Sequence, residues 1–168
     1  FALFSWVFSI YLLAQTVTIP VYGKLADTFG RKPVLVAGTL IFLAGSVASA
    51  LASNMVALIV FRGLQGLGAG SVMATVNTLA GDLYSPRERG RVQGWLSSVW
   101  GVAAIAGPAL GGAFAEYASW RWVFLINLPI GAIALLLIVR FVHETPPRRQ
   151  HRIDYAGAVL LLLAGGAL

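Results

Sequence analysis

The sequence predicts an all-α membrane protein, a bundle of spanning helices. Three observations carry that prediction. The 168 residues are 58% hydrophobic and only 11% charged, with a mean hydropathy of +0.82, whereas a soluble domain carries roughly 25% charged residues. The apolar residues are gathered into runs of the length a helix needs to cross a bilayer, about 20 residues. The charges stand in short clusters between those runs. A net charge of +6 spread in this way forms no stripe on one face, which argues against a nucleic-acid partner. A transmembrane barrel requires alternating segments of about ten residues, and these runs are too continuously apolar for that. Hydrocarbon obliges the backbone to satisfy its own hydrogen bonds, which leaves helices. The chain has no cysteine, so disulfides, thiolate metal sites and cysteine nucleophiles are excluded.

The predicted spans are 4–22, 34–52, 56–80, 94–115 and 123–141, with 155–168 opening a further one. Residues 1–142 form part of a bundle, 143–154 a linker, and 155–168 the start of the next helix. Phe1 and Leu168 both lie inside apolar runs, so a longer parent protein with at least one preceding helix is expected. Nine basic residues fall in the loops 23–33, 81–93 and 143–154, against one, Arg121, in the two intervening connections. The positive-inside rule therefore places those three loops in the cytoplasm.

In the first span, Gln15, Thr16 and Thr18 either line a cavity or bond to neighbouring helices. The loop after it, Gly-Lys-Leu-Ala-Asp-Thr-Phe-Gly-Arg-Lys-Pro, makes a tight hairpin in which Gly23 and Gly30 provide close approach or positive φ. Asp27 and Arg31 are four apart and can pair on a helical turn. Such a pair biases a two-state gate, or the loop is ordinary basic anchoring. The second span is polar only through Thr39, Ser46 and Ser49, and is expected at the lipid-facing periphery.

The third span contains Arg62. An arginine inside a membrane costs about 2.5–3.5 kcal/mol on insertion scales, so it belongs against a cavity or a partner. At about 100° per residue, Gln65 and Asn77 flank Arg62, with Gly66 and Met73 between them. This polar stripe is read as the lining of a water-accessible path. The alternatives are an arginine bonded to carbonyls of a neighbouring helix, or one that snorkels outward. In the fourth span, Gly107 and Gly111 have small-xxx-small spacing, Gly112 lies on an adjoining face, and Pro108 bends the helix. A smooth bent face suits a neighbour that rocks against it, or static close packing. Trp120 and Trp122 fit an interfacial aromatic belt. The fifth span, around Ile130–Ile138, is almost featureless and, like the second, is expected to be lipid-facing or peripheral.

Three ordered stretches resemble motifs of the major facilitator superfamily. Gly23-x-Leu25-Ala26-Asp27-x-x-Gly30-Arg31-Lys32 is similar to its loop between helices two and three. Leu58-x-x-x-Arg62-x-x-Gln65-Gly66-x-Gly68-Ala69 is similar to its fourth-helix motif. Gly107-Pro108-x-x-Gly111-Gly112 resembles the fifth-helix motif of its proton antiporters. The segment Trp120-Arg121-Trp122-x-Phe124-x-Ile126-Asn127-x-Pro129-Ile130-Gly131, with the short link into Arg152–Gly157, resembles the fourteen-span EmrB/QacA-like drug:proton antiporters. Thr28 and Ala103 depart from the usual motif residues.

The resemblance covers nearly the whole chain and implies helices two to six, with part of seven, of an N-terminal six-helix half. It implies that Asp27, Arg31 and Asp82 form a cytoplasmic charge cluster closing one side. It implies that Arg62 couples proton to substrate movement, with Gln65, Met73, Asn77 and Gln15 lining the cavity. It implies that Gly107, Pro108, Gly111 and Gly112 shape a helix sealing against the other half. The expected function is proton-coupled efflux of hydrophobic or amphipathic compounds from a bacterial cell membrane, by a rocking of two halves. A narrow-specificity metabolite or lipid exporter, and a non-transporting scaffold or sensor, are the alternatives. The expected partners are a small-molecule substrate, protons, the lipid bilayer and the remaining helices. No cofactor is expected beyond the proton gradient, no metal, and no enzymatic activity. The six acids, Asp27, Asp82, Glu88, Glu116, Glu144 and Asp154, all fall in loops or at helix ends by this reading. Proton coupling needs an acid whose pKa is shifted by burial or by a neighbouring charge, and this one is expected outside the chain, in a preceding helix.

Overall fold

The structure is a computed structural model, and it describes residues 2–143. The expected linker and sixth span therefore lie outside the described residues, apart from His143. The elements are α1 (Ala2–Phe29), α2 (Arg31–Ala50), α3 (Met55–Leu83), α4 (Pro86–Tyr117), α5 (Trp122–Leu125) and α6 (Asn127–Phe141). Five stretches are long and apolar enough to cross a membrane, α5 and α6 together making the fifth. No strand occurs among the described residues.

The helices run further than the apolar spans. The expected hairpin loop 23–33 is helical except at Gly30, because nothing between Gly23 and Phe29 breaks the helix. Gly30 makes the turn with φ 95° and ψ 157°, a backbone region open essentially only to glycine. Gly23 sits in regular helix, and a Cβ added to it meets nothing within 4 Å. The next connection shrinks to Tyr84 and Ser85. There the Glu88 carboxylate accepts from the Ser85 backbone N–H at 3.0 Å and from its hydroxyl at 2.6 Å, starting α4. On the opposite end, Asn54 caps α3 by accepting from the Ala57 N–H at 2.8 Å. Pro129 offers no N–H to the carbonyl four residues earlier, and the fifth span is accordingly interrupted between α5 and α6 at Ile126.

Successive helices alternate in direction. Val7 faces Arg62 and Gln15 faces Gly70, so α1 and α3 run parallel. Val34 faces Ser71 and Gly45 faces Gln65, so α2 runs against α3. Lys32 reaches Val139 and Ser46 reaches Asn127, so α2 also runs against α6. One end of the bundle thus gathers Lys24, Arg31, Lys32, Arg87, Arg89 and Arg140, and is called the basic end.

α3 is wedged between α1 and α2, and glycine makes the wedge close. A Cβ at Gly66 would stand 2.5 Å from the Tyr11 carbonyl oxygen, and one at Gly45 2.6 Å from the Gln65 backbone nitrogen. α2 is the correction to the sequence expectation. It buries Thr39, Ser46 and Ser49 at 7%, 0% and 0% exposure, facing the other helices and not lipid. Its few polar residues mark its packed face, because a hydroxyl in a membrane helix is more stable against a hydrogen-bonding neighbour than against hydrocarbon. α6 buries none of its residues, as expected for the periphery. α4 buries none either, and nothing lies within 4 Å of a Cβ added at Gly107, Gly111 or Gly112.

Candidate functional site

Arg62 lies in the third turn of α3, half-buried, its guanidinium turned into the bundle. Its Nε donates to the Val7 carbonyl of α1 at 3.3 Å, and Nη1 donates to Gln65 Oε1 at 2.8 Å. The guanidinium carbon stands 4.2 Å from the centre of the Tyr11 ring and 5.8 Å from that of Phe124. Both lie within the range where an aromatic face attracts a cation, and the attraction strengthens when water is excluded. Among the described residues, no carboxylate pairs with Arg62. Its charge is balanced by a carbonyl, an amide oxygen and two π faces. The carbonyl-bonded alternative is thus present in the structure, with the guanidinium directed at the neighbouring helices.

Gln65 is 1% exposed, and both ends of its amide are engaged. Its Oε1 accepts from Arg62, and its Nε2 donates to Ser46 Oγ at 3.0 Å. Ser46 in turn accepts from Asn127 Nδ2 at 3.0 Å and donates to the Phe124 carbonyl at 2.9 Å. A hydroxyl has one proton and two lone pairs, and Ser46 commits all three. The Phe124 carbonyl it bonds lies in α5, next to the interruption of the fifth span. One polar network thus joins α1, α2, α3, α5 and α6 around Arg62. Sequence reasoning missed Tyr11, Ser46, Phe124 and Asn127 as members. The available signal was Ser46, an isolated hydroxyl in an apolar span, and Asn127, quoted only within a family segment.

The polar stripe divides in space. Gln65 is enclosed in this network and is not among the walls of the cavity that the stripe's later members line. Met73 and Asn77 line a cavity of about 440 Å³ nearer the basic end, together with Ile19, Pro20, Gly23, Ala74 and Thr78. Gln15, half-buried on α1, is not among its walls. Asn77 donates to the Met73 carbonyl of its own helix at 3.0 Å.

At the basic end, Arg31 forms an ion pair with Asp82 at the end of α3 and stands 3.6 Å from Asp27 at the end of α1. Gly30 sets this geometry by reversing the chain in a single residue. Arg89 donates to the Gly81 carbonyl, and to that of Tyr84 at 3.1 Å, clasping the turn from α3 to α4. Lys32 donates to the Val139 carbonyl at 2.8 Å, near the last turn of α6.

The family model of the Major Facilitator Superfamily matches residues 1–166. The chain belongs to the major facilitator superfamily. A Bacillus subtilis relative described as Multidrug resistance protein 3 is 39% identical, over 96% of this chain and 31% of its own length. A second from that organism, Multidrug transporter protein MdtP, is 38% identical, over 96% of this chain and 30% of its own length. A Dothistroma septosporum relative described as Efflux pump dotC is 41% identical, over 99% of this chain and 29% of its own length. The chain therefore spans about three tenths of the length of the curated relatives it matches, which are bacterial and fungal. Within this major facilitator segment, the Arg62 network and the Arg31 cluster lie at opposite ends of α3, about 30 Å apart at 1.5 Å per residue.

Proposed function

We propose that this chain is part of a transporter that exports hydrophobic or amphipathic compounds in exchange for protons, by alternating access. The observation that carries the reading is Arg62, a cation held inside an apolar bundle without a carboxylate partner among the described residues. A charge kept there at the cost of desolvation is a functional group by default. It is positioned to attract or release a mobile negative group elsewhere in the transporter. The described acids support this division of labour. Asp27, Asp82, Glu88 and Glu116 all sit in a first or last helical turn, so the middle of the described helices contains no proton-carrying acid. The proton carrier then belongs to a helix beyond these residues. The descriptions of relatives near 40% identity, one an efflux pump and two multidrug proteins, support export and a range of drug-like substrates.

In this reading the basic end faces the cytoplasm of the cell whose membrane holds the protein, and the Arg31–Asp82–Asp27 cluster closes that side. Met73 and Asn77 line part of the substrate path, and the open glycine face of α4 meets the other half. The energy source is the proton gradient, with no cofactor. The full-length transporter in proteoliposomes, loaded with ethidium under an imposed pH gradient, tests the reading. Gradient-driven efflux is expected in the wild type, with a loss of at least tenfold in Arg62→Ala at equal protein. Gradient-dependent efflux unchanged in Arg62→Ala removes the arginine from the mechanism.

A further inference from the structure

We infer that Asn127, acting through Ser46 and Gln65, is a positioning residue for Arg62, so that α6 controls the charge that α3 presents to the transport path. The inference rests on the proton-coupled reading above. It starts from the amide of Gln65, whose oxygen and nitrogen differ chemically but hardly in shape. Only one of its two orientations serves Arg62, the one that points Oε1 at the guanidinium, at 2.8 Å. The flipped orientation would set an N–H donor against a donor. What selects the useful orientation is the acceptor at the other end, Ser46 Oγ, 3.0 Å from Nε2.

Ser46 is an acceptor toward Gln65 only while its own proton points elsewhere. Two groups fix that proton. The Phe124 carbonyl receives it at 2.9 Å, and the Asn127 amide donates into the remaining lone pair at 3.0 Å. Without Asn127 the hydroxyl has a free lone pair and a rotor with fewer constraints. Its proton can then turn toward Gln65, whose amide flips and releases Arg62 from its second hydrogen bond. The network is enclosed, with Ser46 at 0% and Gln65 at 1% exposure, so water does not substitute for a missing partner. The titratable neighbour facing Arg62 is Tyr11 from α1. Among the described residues, α2, α5 and α6 bring only neutral groups to it.

The test uses the full-length transporter in proteoliposomes, with ethidium efflux followed as a function of pH at equal amounts of monodisperse protein. Asn127→Ala and Ser46→Ala are each expected to move the pH midpoint of efflux, in the same direction, by about 0.5–1 unit, the size of one lost hydrogen bond. The double variant is expected to move it no further, because both act on one amide. An unshifted midpoint in both variants, with only a lower rate, overturns the inference and leaves packing as the role of Asn127. If Ser46→Ala does not fold, Asn127→Ala decides alone, since Asn127 is only half-buried on the peripheral helix. Arg62→Ala in parallel separates the two levels. Loss of gradient dependence there with unshifted Asn127→Ala overturns this inference alone, Arg62→Ala with a wild-type profile removes the arginine from the mechanism and this inference with it, and wild-type efflux that ignores the imposed gradient overturns the proton-coupled reading.

Discussion

Gly30 and Gly23 are both glycines of the same motif, yet the backbone uses only one of them as a glycine. Gly30 turns the chain at φ 95° and ψ 157°, where an added Cβ costs about 1–3 kcal/mol. Gly23 lies in ordinary helix with open space around it, where alanine is favoured over glycine by roughly 0.5–1 kcal/mol. Gly30→Ala is therefore expected to lower the melting temperature of the detergent-solubilised protein, and Gly23→Ala to hold or raise it. Equal melting temperatures for the two variants would contradict the single-residue turn. Ser46 illustrates the same dependence on place. At its actual position it satisfies two amide donors and one carbonyl, and leaving such buried groups unpaired costs about 1–3 kcal/mol.

α3 and α4 are both rich in small residues, but they stand in opposite situations. On α3 Gly66, Gly68 and Gly70 are spent on contact, since α1 and α2 approach so closely that Gly66 against Tyr11, and Gly45 of α2 against Gln65, have no room for a methyl group. On α4 the glycines face open space among the described residues, and nothing on that helix is buried. Two valine substitutions separate these cases. Gly45→Val forces α2 away from the Gln65 backbone, and overpacking of this kind costs typically 1–3 kcal/mol, so the monodisperse yield of the full-length protein is expected to fall severalfold. Gly107→Val disturbs nothing in the described bundle and is expected to leave yield within twofold while lowering transport, because in the proposed reading its face closes against the rest of the transporter. Wild-type transport by Gly107→Val would show that this face meets no close neighbour. The interruption between α5 and α6 belongs to this level too. The break between α5 and α6, before Pro129, lies beside the Phe124 carbonyl that Ser46 of α2 bonds.

The bundle has two chemically distinct ends, with the turns Gly30 and Tyr84–Ser85 at the basic end and residues 51–54 and 118–121 at the other. The chain has no cysteine, which makes its sidedness directly measurable. In a cysteine-free full-length background, Arg91→Cys is expected to react with a membrane-impermeant maleimide only from the cytoplasmic side, and Ser119→Cys only from outside. Labelling of both from the same side would overturn the alternating topology. Much of this architecture was legible in the residues. Hydropathy and the spacing of basic clusters determined the five spans and their alternation, because bilayer thickness and backbone hydrogen bonding leave few other ways to place such runs, while the family entered through the resemblance of three ordered motifs. The assignment of α2 to the periphery was wrong because hydropathy measures how apolar a helix is and not which face it buries. The polar stripe on α3 was real as an angle around one axis, but a helical wheel does not show neighbours. Gln65 and Asn77, twelve residues apart on one face, therefore meet different surroundings, one a sealed network and the other a cavity. The sequence alone determined that an arginine stands inside a membrane helix. Only the tertiary structure decided that the glutamine bonded to it is in turn bonded to a serine from α2, which an asparagine from α6 also reaches, since hydrogen bonds between residues 81 positions apart depend on how the helices pack and leave no periodic trace along the chain.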